Sequence, residues 1–301
     1  MSKRKKILIF LCIFLIFLII NYCSQKKGQK IEKTSFPVIA LLSDWGDRDF
    51  YSGAVKGVIL SINPEVKVVD ISHNIPSFDI RQASAQLYFS SREFPEKTIF
   101  IADVDPGPGL SRPILVVTKN RKYFIGPDNG IFTLIYENMK VEKIIHLTNK
   151  RYMVKGKPSY TFFGRDIFAP VSAWLSKGIP PDKLGKEIND PVKFKVLKAH
   201  IKNNKCYGEI LFIDRYGNII TNISRDLINK LNVKLGDRVK IKAGNNEFEA
   251  RFVNTYAQGE LGEFICLISS TDTLEIAVNM GKITDYFLVL IGDPVEIRKI
   301  E

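Results

Sequence analysis

Thr98-Ile99-Phe100-Ile101-Ala102 runs directly into Asp103-Val104-Asp105-Pro106-Gly107-Pro108-Gly109-Leu110-Ser111-Arg112. The first five residues form an unbroken apolar run, which reads as a strand buried on both faces. The next ten open with carboxylates and bend through two prolines and two glycines. A buried strand that ends this way delivers acidic side chains to the lip of a sheet. In open α/β sheets that lip, outside the carboxyl ends of the strands, is where ligands sit. The Pro/Gly turn has few conformations, so it is expected to bring Asp105 and Arg112 back toward each other. The plain alternative is a tight turn closed by a surface ion pair.

The same strand-then-carboxylate pattern recurs on either side. Val38-Ile39-Ala40-Leu41-Leu42 ends in Ser43-Asp44-Trp45-Gly46-Asp47. A helix over 51–62 follows, with Ala54, Val55, Val58, Ile59 and Ile62 at helical spacing. Strand 66–71 leads through Ser72-His73 to the loop 74–79. Asp79 is expected to cap a helix over 80–90. Beyond the central turn come strand 114–118, strand 123–127, a turn at Asp128-Asn129-Gly130, a helix from Ile131 and strand 143–147. Thr161-Phe162-Phe163-Gly164-Arg165-Asp166 leads into a helix over 167–177, which Gly178 and Pro180-Pro181 stop. Strands alternating with helices predict an N-terminal α/β/α domain with a mostly parallel sheet over 37–190. Residues 186–205 are charged and aperiodic, and 191–205 is assigned as a linker.

The last hundred residues change character. Strands 208–213 and 219–223 flank Asp214-Arg215-Tyr216-Gly217-Asn218, a hairpin with a glycine turn. Five more short strands lie at 239–242, 248–253, 264–268, 274–278 and 294–297. This predicts a small C-terminal β-barrel, or a sandwich, over 206–301.

The net charge of +12 over 301 residues would suit a nucleic-acid binder, but its distribution does not. Residues 1–36 carry eight Lys/Arg against Glu32 alone, so they account for +7, leaving +5 for the remainder. There is no basic stripe with interleaved aromatics, so a nucleic-acid partner is not expected. The four cysteines lack metal-type spacing, so zinc is not expected. Cys206 and Cys266 are free core thiols or, in an oxidising compartment, a pair. Residues 1–23 form a leader: a basic start, then 14 apolar residues from Ile7 to Ile20, too short to span a bilayer easily. Cys23 directly after this core is like a lipoprotein lipidation site. The alternative is an uncleaved anchor, and both place the folded part outside the cytoplasmic membrane. Residues 24–36 are a polar tether.

Seven stretches occur together and in order: Ser43-Asp44-Trp45-Gly46, Val69-Asp70-Ile71-Ser72-His73, Asp105-Pro106-Gly107-Pro108-Gly109, Pro127-Asp128-Asn129-Gly130, the 161–166 motif, Asp214 to Ile219, and Leu274 to Gly281. On these the chain resembles the S-adenosyl-L-methionine (SAM) hydroxide adenosyltransferases, relatives of fluorinase and chlorinase. The resemblance implies SAM as substrate with no cofactor, and SN2 attack at C5′ of the ribose. It also implies a homotrimer whose sites lie between one subunit's N-domain and the next subunit's barrel. By matching position, Asp44 would grip the ribose hydroxyls. Asp49 and Tyr51 would face the methionine part, and Phe78 would wall the ribose. Asp214 would hold the amino-acid end, Asn218 would make an amide contact, and Tyr216 would pack on the adenine. Ser270, Val278 and Met280 would contribute mostly backbone contacts.

The catalytic positions depart from the pattern. Asp105 and Arg112 match the first two members of an Asp, Arg, His set, and the third falls on Phe163, which carries no proton. Halogenating relatives likewise lack His there and use the position of Gly164 to shape a halide pocket. His73 reads as structural, His146 lies on a strand, and His200 reads as solvent-facing. Asp166 reads as a helix cap, and Asp128-Asn129 as a turn or a site element. Three functions follow: SAM hydrolysis to adenosine and methionine using Asp105 and Arg112, a membrane-anchored adenosine or nucleoside receptor without turnover, or halide-dependent adenosyl transfer.

Overall fold

The computed structural model describes residues 37–300, apart from Pro106, Pro108 and Lys157. The leader, the tether and Cys23 lie outside the described residues. Among the described residues no helix is long and apolar enough to cross a membrane.

The N-terminal lobe is built on a seven-stranded sheet in the order β2-β1-β3-β5-β4-β6-β7. Its strands are β1 (Val38–Ser43), β2 (Lys67–Ser72), β3 (Ile99–Asp103), β4 (Pro113–Thr118), β5 (Tyr123–Pro127), β6 (Val141–Leu147) and β7 (Gly185–Ile188). β2, β1, β3 and β5 pair in parallel, while β4 and β7 run against their neighbours. The sheet is therefore mostly parallel in strand direction. Side chains alternate between its two faces. Ile39, Leu41, Ile99 and Ile101 point to one core with Val55, Ile59, Phe168 and Val171. Ala40, Leu42, Phe100 and Ala102 point to the other, with Ala83, Leu87, Phe132 and Ile135. Helices α1 (Tyr51–Ile62) and α4 (Ala169–Ser176) cover the first face. Helices α2 (Ile80–Glu93) and α3 (Thr133–Asn138) cover the second.

The Asp79 side chain caps α2, accepting from the Gln82 N–H at 2.9 Å. A cap of this kind contributes about 1 kcal/mol. Two expected helix starts are shifted. The helix expected from Ile131 begins at Thr133, because residues 130–133 are held as a turn by the Thr133 N–H donating to the Gly130 carbonyl at 2.9 Å. The helix expected over 167–177 opens with a π-helical turn, Gly164–Phe168, before α4. Asp166 does not cap it. Its carboxylate accepts from the Ser159 N–H at 2.8 Å and from Arg165 at 2.6 Å, tying down the segment that precedes the turn. At the start of the stretch read as aperiodic, residues 185–188 add β7 to the sheet edge, and within it residues 200–202 pair with the barrel.

The C-terminal lobe is a closed barrel. Its strands run β10-β14-β13-β12-β11-β15-β9, and β9 pairs back with β10. They are β9 (Lys205–Ile213), β10 (Ile219–Ser224), β11 (Arg238–Ala243), β12 (Asn246–Phe252), β13 (Phe264–Ile268), β14 (Thr273–Val278) and β15 (Pro294–Lys299). β8 (His200–Lys202) is an annex on β9, and helix α5 (Arg225–Lys230) follows β10. Closure removes the unpaired edges that so many short strands would otherwise expose. Cys206 and Cys266 are free, buried thiols, and burial pushes both up, Cys206 to about 11. The two lobes pack through α2: Arg81 donates to the Lys195 carbonyl at 2.9 Å, and Ala85 packs with Leu134 and Leu211.

Candidate active site

Chain order and sheet order diverge at β1. From β1 the chain goes to β2 on one side, then crosses to β3 on the other. Such a switch point leaves a crevice at the carboxyl ends of β1 and β3. Ser43 and Asp103 are register partners there, so Asp44 and Asp103 leave adjacent strands side by side. A cavity of about 190 Å³ opens above them. It is lined by Asp44, Trp45, Tyr51, Phe78, Asp103, Asp105, Thr161, Phe162 and Phe163. The lining thus holds three carboxyl groups and five aromatic rings and, among the described residues, no Lys or Arg.

Each wall has a local cause. Asp44 Oδ2 accepts from the Phe78 N–H at 2.9 Å, and Phe78 is held in the left-handed region at φ 67°. Phe162 stands edge-on to Trp45 at 5.7 Å and to Tyr51 at 5.1 Å. Trp45 is stacked on His73 at 5.8 Å. Both His73 nitrogens are engaged, Nδ1 with Ser43 Oγ at 2.7 Å and Nε2 with Asp70 at 3.1 Å. His73 therefore fixes the Trp45 wall from behind. Gly164 comes so close that a Cβ there would meet Asp103 Oδ2 at 2.5 Å and the Trp45 ring at 2.8 Å.

Asp103 is the residue that sequence reading passed over. It is only 9% exposed. Burial, then Asp105 and Asp44, push its carboxyl up to about 8, against a smaller opposing effect of the Gly164 amide. Sequence position alone marked it as a strand end. Its depth depends on the turn 164–168, which lies some sixty residues away.

Arg112 is engaged by Asp128 and Asp190. Its Nε donates to Asp128 at 2.6 Å, and its Nη2 lies 3.0 Å from Asp190 and donates to the Asp190 carbonyl at 2.5 Å. Hydrogen bonds to those partners raise the guanidinium above its usual value. Asp105 instead accepts from the Gly107 N–H at 3.0 Å. The reason is reach: β4 and β5 are antiparallel neighbours, and Pro113 pairs with Pro127, which sets Arg112 beside Asp128. Asp128, buried, also accepts from the Val192 N–H at 2.9 Å. Asp49 is exposed in the loop before α1 and does not line the cavity.

The barrel candidates form a second group, apart from this cavity. Asp214 Oδ1 accepts from the N–H groups of Tyr216 and Asn218, each at 2.9 Å. The Asn218 amide donates to Asp214 at 3.2 Å and to the Tyr256 hydroxyl at 3.3 Å. The Tyr256 hydroxyl donates in turn to buried Glu275. Tyr256 carried no sequence signal, and Glu275 lay inside the 274–281 motif without being assigned a role. Met280, left-handed at φ 58° and exposed, lies in the loop packed on Gly217, while Val278 is buried. Tyr216 is exposed. Ser270 sits at the opposite end of β13 and β14, in the turn joining them.

Fold and site together define a two-lobed α/β and β-barrel protein with an acidic, aromatic pocket at the switch point of its sheet. Residues 39–185 match the SAM hydroxide adenosyltransferase N-terminal domain, and residues 208–296 match the C-terminal domain of the same family. The chain is 35% identical over 270 residues to the (R)-S-adenosyl-L-methionine hydrolase of Methanocaldococcus jannaschii, covering 86% of this chain and 95% of the relative. It is 26% identical to a fluorinase of Nocardia brasiliensis, over 87% of this chain and 97% of the relative. A crystal structure of an uncharacterized conserved protein from Thermotoga maritima superposes with a TM-score of 0.82 at 39% identity, covering 86% of this chain and 99% of that one. The chain belongs to the SAM hydroxide adenosyltransferase family.

Proposed function

We propose that this protein hydrolyses SAM to adenosine and L-methionine. Water attacks C5′, the C5′–S bond breaks, and its electron pair leaves on the methionine sulfur. The observation that carries this reading is the lining of the cavity: carboxyl groups and aromatic rings, with no basic side chain among the described residues. Such walls suit a sulfonium cation that also carries a sugar diol. A carboxylate accepts from two adjacent hydroxyls, and ring faces attract a cation. Attack of water on a sulfonium disperses charge, so a site that holds the reactants in line and limits other water favours it.

Asp44 is the ribose ligand in this reading, Phe78 the ribose wall, and Tyr51 a contact to the methionine part. Asp214, Tyr216, Asn218, Val278 and Met280 come from the barrel of a neighbouring subunit in a homotrimer. What supports the trimer is that none of these barrel residues lines the cavity of its own chain. Through its leader and Cys23 the protein is an exported, membrane-anchored lipoprotein, and the reaction needs no cofactor.

The test is to incubate the purified protein with SAM and follow adenosine by chromatography. Formation of adenosine and methionine above the uncatalysed rate is expected, and its absence would reject hydrolysis. A second reading, a nucleoside receptor without turnover, is favoured by Phe163 at the imidazole position and by Arg112 being engaged elsewhere. Calorimetric binding of adenosine without any turnover of SAM would support it instead.

A further inference from the structure

Asp103 is buried at the floor of the cavity. Among the described residues no Lys, Arg or His pairs with its carboxyl group. Facing it are Asp105, two residues on, and Asp44, on the neighbouring strand β1. Tyr51, across the cavity, is the remaining titratable group of the lining. From the turn packed over Asp103 comes the Gly164 amide, while Arg165 in that turn is held by Asp166. A carboxyl group in this setting is neutral at neutral pH unless a positive charge arrives. The positive charge that the proposed reaction brings is the substrate's own sulfonium.

We infer that Asp103 is the proton acceptor for the attacking water, and that the substrate's sulfonium switches it on. This rests on the hydrolase reading given above. Binding of the cation favours the ionised carboxylate, so one proton leaves for solvent as SAM binds. Water then bonds to C5′ and passes a proton to Asp103, while the C5′–S electron pair goes to the methionine sulfur. As the sulfonium becomes a neutral thioether, the carboxylate loses its stabilising neighbour and its proton affinity rises. The base therefore strengthens as the carbon–sulfur bond breaks. Asp103 ends protonated, ready for the next substrate, and each turnover releases one proton. Phe163, which cannot carry a proton, then serves as an apolar wall that keeps further water from the carboxyl group.

The test compares wild type with Asp103→Asn in two readouts. In the first, calorimetry at pH 7 in two buffers of different ionisation enthalpy measures protons released on binding. Two unreactive probes are used: sinefungin, with an ammonium at the sulfur position, and S-adenosylhomocysteine, with a neutral thioether. Wild type should release a proton with the first and none with the second, and Asp103→Asn should release none with either. In the second, kcat for SAM should fall about 100-fold to 10,000-fold in Asp103→Asn, with KM changed far less. Adenosine binding by the variant at wild-type strength shows an intact pocket. Equal heats in both buffers for wild type with sinefungin, or wild-type turnover by Asp103→Asn, would overturn the assignment. If wild type makes no adenosine, the hydrolase reading and the role in turnover fail together. Proton release with sinefungin alone would then still support the charge coupling, and its absence would overturn that too.

Discussion

The carboxyl group of Asp103 lies directly against Gly164, so that a single methyl on the glycine would meet Oδ2 at 2.5 Å. The same methyl would meet the Trp45 ring at 2.8 Å. Neither neighbour can swing away freely, since Asp103 ends a buried strand and Trp45 is stacked on His73. Gly164→Ala should therefore cost about 1–3 kcal/mol of stability and weaken adenosine binding. Thermal unfolding and nucleoside titration check this. A variant with wild-type melting and binding would show that the turn at 164–168 yields more readily than its packing implies.

Asp44 has two roles to lose. It holds the Phe78 N–H at 2.9 Å, and in the proposed reading it grips the ribose. Asp44→Ala should weaken adenosine binding about 10-fold to 100-fold, the effect of removing hydrogen bonds to a charged group. If the sites lie between subunits, Asp44→Ala and Asn218→Ala complement each other. Each alone should be nearly inactive, and trimers assembled from both should regain activity through sites that carry neither change. Mixed refolding followed by an activity assay reads this directly.

Arg112 is expected to act on structure rather than on substrate. Removing it leaves Asp128 buried without a cation, so Arg112→Ala should cost roughly 3 kcal/mol, the typical penalty for breaking such a pair. Turnover per folded molecule should change much less. Denaturant titration beside single-concentration kinetics separates the two effects. A large fall in kcat with unchanged stability would return Arg112 to the chemistry.

Asp103 also sets a pH dependence of stability. Its folded-state pKa of about 8 lies above the ordinary value of 3.8, so the folded form binds the proton more tightly. The folded state is thus progressively disfavoured as pH rises from near 3.8 to about 8, and the loss levels off above that. Asp103→Asn removes this loss. Its melting temperature should gain on wild type between pH 5 and 8, with little difference near pH 4. Parallel melting curves across that range would contradict the burial of this charge.

Phe163 gives a test by addition. An imidazole at this wall would supply a second base beside the Asp103 site. Phe163→His should restore turnover to Asp103→Asn by at least about 10-fold, a tenth of the smallest contribution typical of a positioned base. The restored rate should rise with pH as the imidazole deprotonates, near 6.5 for an ordinary histidine. A double variant no faster than Asp103→Asn would show that the new ring does not reach the attacking water.

The apolar runs of β1 and β3 could be read directly, because a strand buried on both faces leaves an unbroken hydrophobic signature. The barrel hairpin was legible for a related reason. Asp214 and Gly217 make a turn from local chemistry, and Gly217 adopts φ 77° as that turn requires. Strands β7 and β8 were not legible. Both are short pieces with exposed residues, whose order comes from a neighbouring strand rather than from their own pattern. The π-helical turn at Gly164 was hidden as well, since hydrophobic spacing cannot register a backbone pressed against a distant carboxyl group.

The sequence by itself determined that acidic residues stand at the ends of buried strands, because strand and turn propensities act over a few residues. Only the tertiary structure decided which of those acids is dry. Asp44, Asp103 and Asp105 look alike in the chain, yet Asp103 alone of the three is buried, beneath Gly164 and Trp45. It decided the fate of Arg112 in the same way, by setting Asp128 and Asp190 within reach. Solvation and charge pairing are properties of what arrives from far along the chain, and no local pattern records them.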